Sequence, residues 1–499
     1  MKGRCTIAAL LVLACVANGE VKLASVFSDH MVLQRDKAVA VWGTADPGKS
    51  VTVTIDGHST SDKADKSGNW IVRLNKHQAS QTPLTMTVSE DGGNTISISD
   101  ILFGDVWICS GQSNMGFQLF ETGDKQAIAS SKDEQLRLMR VPRAVSDTPL
   151  QQQNGKWSIC SPKTSWDFTA VGYYFGKELR AREHVPVGLI GTYWGGTAAE
   201  PWTPAKYLQG EQWKPMHERA QAMLEAYPKK HHQWEERVKN LSPGAKKPPE
   251  PEGKNNPHQP SVLWNGMVNP LVPMTIKGVI WYQGESNAQR AEQYRTLFPL
   301  LIKAWRQEFD EGNFPFLFVQ IAAFGKSGGD TDRGSEWAEL REAQTMTLKS
   351  PNTGMAVTID IGSPTRIHPK DKATVGKRLA LVAEKVAYGH KLEDSGPMYK
   401  SMKVDGDKIK ITFTHAKGLT AKGGAVKGFT IAGRDEKFVP AQAKIDGDHV
   451  IVFSDKVQNP VAVRYAWAED PEVTLYNSAG LPAVPFRTDN WPEVTAGKE

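Results

Sequence analysis

The chain has 499 residues, enough for about two to four domains, and its 39% hydrophobic and 23% charged residues give no reason to expect disorder. A formal charge of +5 is too mild for a nucleic-acid-binding surface, and no basic stripe with interleaved aromatics occurs. No segment approaches the length of a membrane-spanning helix.

At the N-terminus, Lys2 and Arg4 precede an apolar stretch from Ile7 to Val16, and Ala17-Asn18-Gly19 offers small residues for cleavage. This is the pattern of a secretory signal peptide over 1–19, and it predicts a secreted or periplasmic protein. Cys15 leaves lipoprotein anchoring as a minor alternative. Loss of Lys2 and Arg4, with no acid, takes the net charge from +5 to +3. Of the four cysteines, Cys109 and Cys160 then remain, either as an exported disulfide or as two buried thiols. No Cys/His cluster suggests a metal.

Residues 20–102 alternate apolar and polar positions between turn signals ("KAVAVWG", "SVTVTIDG", "GNWIVRL", "PLTMTVSE"), which predicts an N-terminal β-sandwich domain. Within it, Gly43 to Ser50 matches the phosphate-loop pattern GxxxxGK[ST]. A phosphate loop must open a helix, however, and here a strand follows, so the stretch is expected to be a hairpin turn. Over 103–392 the pattern changes. Runs that are apolar on both faces ("PVGLIGTYW", "IKGVIWYQ", "FPFLFVQIAAF", "MAVTIDIG") alternate with helical stripes such as Phe168, Val171, Phe175 and Leu179, or Val375, Leu379, Val382 and Val386. Such alternation implies a parallel sheet covered by helices on both sides. Residues 204–260 form a charged, partly helical insertion whose Pro/Lys-rich end is expected to be mobile. From 393 to 499 the β pattern returns, predicting a C-terminal β-sandwich-like domain.

In open α/β sheets, ligands bind beyond the carboxyl ends of the strands. Four predicted strands deliver Ser113, the pair Gly195-Gly196, the cluster Gln283-Gly284-Glu285-Ser286-Asn287, and His368 to that edge. Each alone has a structural explanation. Together they suit acyl transfer, which needs a hydroxyl nucleophile, a general base and donors aimed at an oxyanion. Ser113 does not sit in a GxSxG elbow, since Met115 occupies the last glycine position.

The blocks "WICSGQSNM", "VGLIGTYWGGTAAEPW", "LWNGMVNPLVP", "IKGVIWYQGESN" and "DIGSPTRIHPKDKATVGKRLA" resemble, in order, those of the carbohydrate acetylesterases of the SGNH-hydrolase superfamily, the sialate O-acetylesterase group above all. The resemblance implies a flavodoxin-like three-layer α/β core that removes O-acetyl groups from sugars, with no metal or cofactor. It implies Ser113 as nucleophile and His368 as base. The Ser113 N–H, Gly195-Gly196 and the Gln283 side chain would form the oxyanion hole. Gln112, Asn114, Trp194, Asn265, Glu285 and Asn287 would support or face the substrate. An O-acetylated glycan is then the expected partner, with no nucleic acid and no integral membrane segment.

One position departs from the family's pattern. An aspartate is expected two residues before the histidine, and Arg366 stands there. An arginine cannot accept the imidazole N–H, and its charge would oppose the imidazolium. Asp360 is the expected substitute, with Glu285 and Asp371 as alternatives. A backbone-oriented Ser–His dyad, or a catalytically impaired glycan-binding protein, is also consistent with Arg366. On the substrate side, an acetyl group needs a small pocket, so specificity must come from the sugar's surroundings. Trp194, Trp202, Trp264 and Trp281 fall near the motif ends, where one or two could form a platform; Trp281, inside a strand, is expected to be core. A basic balance suits sialic acid, and acetylated xylan is the rival substrate.

Overall fold

The computed structural model describes residues 20–242, 244–253, 255–326 and 334–498. The signal segment lies outside them. At the centre, strands Asp133–Arg140, Val187–Tyr193, Thr95–Gly111, Gly278–Tyr282, Phe316–Val319 and Thr353–Ala356 lie side by side in that order, all parallel. Their period-two alternation feeds two cores. Val106, Ile108, Val279, Trp281, Phe316 and Phe318 pack on one face with Leu297, Phe298 and Leu301 of the helix Ala291–Phe309. Trp107, Cys109, Leu189, Ile280 and Leu317 pack on the other, with Val171, Phe175 and Leu179 of Ala170–Glu183 and Val375, Leu379 and Val382 of Lys372–Val386. Three layers result, as the doubly apolar strands require. Trp281 is fully buried and meets Trp202, Trp305, Phe298 and Phe316 at ring separations of 6.1–6.3 Å. It is core.

The N-terminal region is a sandwich whose second sheet is continuous with the central one. Thr95–Gly111 is a single 17-residue strand. Its first half pairs antiparallel with Ser80–Glu90, and its second half pairs parallel with Val187–Tyr193. The boundary expected at 102/103 therefore falls inside one strand. Side-chain alternation ends near Asp100, where the strand passes from a half-solvated to a fully buried sheet, but the backbone does not stop. The Gly43–Ser50 turn is not a hairpin either. Val39–Thr44 pairs with Lys22–Leu23 and Asn69–Leu74, whereas Ser50–Ile55 pairs with His58–Lys63 and Ser80–Glu90, so the turn joins two sheets. A strand follows it, so no helix N-terminus stands there to hold a phosphate.

At the other end, sheets built around Met398–Asp405 with Lys408–Thr414, and Phe429–Ala432 with Ala462–Tyr465, share a core of Ile409, Ile411, Val450, Ile431, Tyr465 and Phe486. The insertion forms the helix Lys214–Lys239. Its Pro/Lys-rich end packs back on that helix. The Trp234 indole N–H donates to the Pro248 carbonyl (2.9 Å), and Gln259 Nε2 donates to the Ala220 carbonyl (3.3 Å). Cys109 and Cys160 are free, buried thiols, so the disulfide alternative is not realised.

Candidate active site

The parallel registers bring the four motifs to one edge. Gly111 ends its strand at φ +135°, where a Cβ would lie 2.1 Å from the Tyr282 carbonyl oxygen. Only glycine lets the chain turn there, and the turn starts the helical residues Ser113–Gly116. Ser113 Oγ lies 2.8 Å from His368 Nε2. Gly195 abuts the same serine: a Cβ on it would sit 3.2 Å from Ser113 Cβ, so the glycine keeps Ser113 uncovered. Gly196 is exposed at φ +79°, and its carbonyl accepts from Ser286 Oγ (2.9 Å). Gln112 Oε1 accepts from the N–H groups of Gly284 (3.3 Å) and Ser286 (3.4 Å), tying the Ser113 turn to the neighbouring loop.

Several expected site residues serve elsewhere. Gln283 is fully buried with both ends of its amide engaged. Its Nε2 donates to Asn287 Oδ1 (2.7 Å) and toward the Thr197 carbonyl (3.4 Å), while its Oε1 accepts from Tyr294 (3.0 Å). It braces the loop behind Gly195-Gly196 instead of lending its side chain to the oxyanion hole. Asn287 is also buried, accepting from the Ala199 N–H and donating to Glu200 Oε2 (3.0 Å). Asn265 donates to the Ser146 carbonyl (3.1 Å) and fixes a neighbouring loop. Trp194 is half-buried beneath the Arg143 guanidinium, 5.3 Å from its ring centre, whereas Trp202, Trp264 and Trp281 are buried.

The acids are also placed differently. Asp360 accepts two hydrogen bonds from Arg378 (2.6 and 2.8 Å) and one from the Tyr476 hydroxyl (3.3 Å). Asp371 caps the helix Lys372–Val386 through the Thr374 N–H (2.9 Å). Glu285 Oε1 accepts from Asn114 Nδ2 (2.6 Å). Among the described residues, no carboxylate is hydrogen-bonded to His368, and the expectation for Asp360 fails because Arg378 holds it. Arg366 is exposed and is not among the charges acting on the imidazole. The residue missed is Lys372, fully buried, whose Nζ donates to Asn114 Oδ1 (2.5 Å) between the rings of Phe117 (5.0 Å) and Tyr282 (5.1 Å).

Burial, and next the Lys372 charge, lower the pKa of His368, with Glu121 acting in the opposite direction. A general base works in its neutral form, which a lowered pKa extends to more acidic pH. The kcat/KM profile is therefore expected to hold on the acid side and to fall only at a pH below about 6.5, the ordinary histidine value. A pH–rate series on a soluble acetyl ester checks this; an acid limb above that value would contradict it.

Beside the glycine pair lies a cleft of about 230 Å³, bounded by Gly196, Ser286 and Arg290 on the core side and by Met216, Arg219 and His258 of the insertion. The geometry thus offers a hydroxyl against an imidazole, an uncovered approach and an adjoining cleft.

The family model described as "Carbohydrate esterase, sialic acid-specific acetylesterase" matches residues 103–234 and 262–385. Sialate O-acetylesterase of Mus musculus is 33% identical over 549 residues, covering 96% of each chain. The chain belongs to this family. It is a carboxylic ester hydrolase, a carbohydrate esterase by family. The Homo sapiens sialate O-acetylesterase is 31% identical, covering 93% of this chain and 92% of its own. Among solved structures, a carbohydrate acetylesterase from Xanthomonas citri is 42% identical, with a TM-score of 0.82 over 94% of this esterase and 100% of that chain. No helix among the described residues is long and apolar enough to cross a membrane.

Proposed function

We propose that this esterase is exported and removes O-acetyl groups from carbohydrates, O-acetylated sialic acids first, by a Ser113–His368 mechanism on an SGNH-type core. The observation that carries the reading is the 2.8 Å approach of Ser113 Oγ to His368 Nε2 beside Gly195. With its Nδ1 protonated, the imidazole accepts the serine proton through Nε2 as Oγ attacks the acetyl carbonyl. The same proton then passes to the departing sugar oxygen. Water, activated by His368 in turn, releases acetate and restores the serine. With the Gln283 side chain withdrawn, the oxyanion donors at hand are the backbone N–H groups of Ser113 and Gly195. Arg366, which raised the non-catalytic reading, points to solvent, and this supports turnover.

The relatives named as sialate O-acetylesterases support an acidic sugar as the substrate. A second reading, an acetylated polysaccharide such as xylan, stays open because the 42% identical Xanthomonas citri protein is described as a carbohydrate acetylesterase with no sugar named. Acetate release measured side by side on O-acetylated sialic acid and acetylated xylan decides between them, with Ser113→Ala as control. The expected result is faster, Ser113-dependent release from sialic acid. Faster release from xylan would replace the substrate, and no release from either would overturn the reading.

A further inference from the structure

Asn114 follows the nucleophile, and the Ile367 peptide precedes the base. The two are joined directly: Asn114 Nδ2 donates to the Ile367 carbonyl (3.0 Å). Its neighbours dictate the orientation of this amide. A lysine ammonium can only donate and a backbone carbonyl can only accept, so Oδ1 must face Lys372 and Nδ2 must face Ile367 and Glu285. Asn114 and Lys372 are almost or fully buried, and Glu285 Oε2 is buried with no hydrogen-bond partner among the described residues. Two buried charged groups on opposite sides of one amide are costly unless each offsets the other.

We propose that Lys372 is a positioning residue: with Asn114 and Glu285 it forms a buried clamp that holds the His368 loop against the Ser113 turn, doing the orienting work for which, among the described residues, no carboxylate is hydrogen-bonded to His368. The clamp acts one residue after Ser113 and one residue before His368, so it sets the Oγ–Nε2 distance through backbone, without touching either reacting atom. Lys372 also opens the helix Lys372–Val386, which fixes its own position. Burial lowers the Lys372 ammonium to about 7 and raises the Glu285 carboxyl. As an ion pair or with the proton shared, the clamp carries no net charge. The other charges facing it are Asp371, which caps the same helix, and Glu121, on the turn after the nucleophile; His368 itself faces Lys372 and Glu121.

The inference rests on the Ser113–His368 reading, and the experiment separates the two. Lys372→Met keeps the length of the side chain and removes the donor and the charge. It is expected to lower kcat on p-nitrophenyl acetate by about 10²-fold, as small misplacements of reacting groups do, with KM changed by less than about threefold. Because His368 loses a cationic neighbour, the acid limb of kcat/KM should move to higher pH. Lys372→Met/Glu285→Gln removes both buried charges, which keeps the test open if the single variant fails to fold. Its acid limb should move the same way, and its loss of kcat should be smaller than the product of the two single losses. If Ser113 dependence holds but kcat per folded molecule and the acid limb stay where they were, the clamp is structural only and the proposal is overturned. If the wild-type activity is absent or survives Ser113→Ala, the dyad reading falls and the positioning role with it.

Discussion

Ser113→Ala is expected to lower kcat/KM for an acetyl ester by a factor on the order of 10⁴ to 10⁶, the range seen when the nucleophile of a serine hydrolase is removed. Two features argue for so large an effect. Ser113 Oγ is the hydroxyl within hydrogen-bonding distance of His368 Nε2, and Gly195 leaves its approach uncovered. What survives should be the contribution of the backbone donors and of substrate binding, which the substitution leaves intact. His368→Ala should cost about as much, and the double variant little more, as for any nucleophile and base that act as one unit. Losses that multiply would mean that the two residues work in separate steps. The fold should be unaffected, because neither side chain fills the core, and circular dichroism of the variants checks that directly.

Asp360→Asn is expected to cost stability and spare chemistry. The Asp360 and Arg378 side chains are only 10% and 11% exposed and form a two-pronged pair, to which Tyr476 adds a hydrogen bond from the C-terminal region. Replacing the carboxylate by an amide leaves the guanidinium charge uncompensated in a poorly solvated site, a change that costs about 3–5 kcal/mol in buried pairs. A clear drop in the urea midpoint should follow, with kcat/KM and its acid limb preserved in the folded enzyme. An altered pH profile at unchanged stability would restore Asp360 as the partner of His368.

The convergence of the candidate site's motifs is legible in the sequence. Ser113, Gly195 and His368 follow runs apolar on both faces, and the rule that parallel strands present their carboxyl ends together makes their meeting a consequence of topology. Polar residues after a strand can, however, face the cleft or brace the loop behind it, and sequence does not separate these outcomes. Gln283 and Asn287 took the second course because Tyr294, Thr197 and Glu200 were there to satisfy them. Asp360 lost its expected role to an arginine 18 residues later, a pairing that depends on the helix Lys372–Val386 lying across the loop. The sequence pattern changes at 102/103 because burial changes there, and a continuous strand can cross such a change. Lys372 did carry a signal. Lys372, Val375, Leu379 and Val382 share a helical stripe, so a lysine stands in phase with the buried face beside the base. A charge on an apolar stripe four residues after a candidate base is a pattern to weigh as readily as a catalytic motif.

The proposed mechanism depends on Ser113 being activated by His368. Incubation with a fluorophosphonate, followed by peptide mass spectrometry, measures that without presuming a sugar. The wild-type enzyme should carry the adduct on the peptide containing Ser113, and His368→Ala should label far more slowly at the same site. An adduct on another serine, or equal labelling rates in the two proteins, would contradict the account.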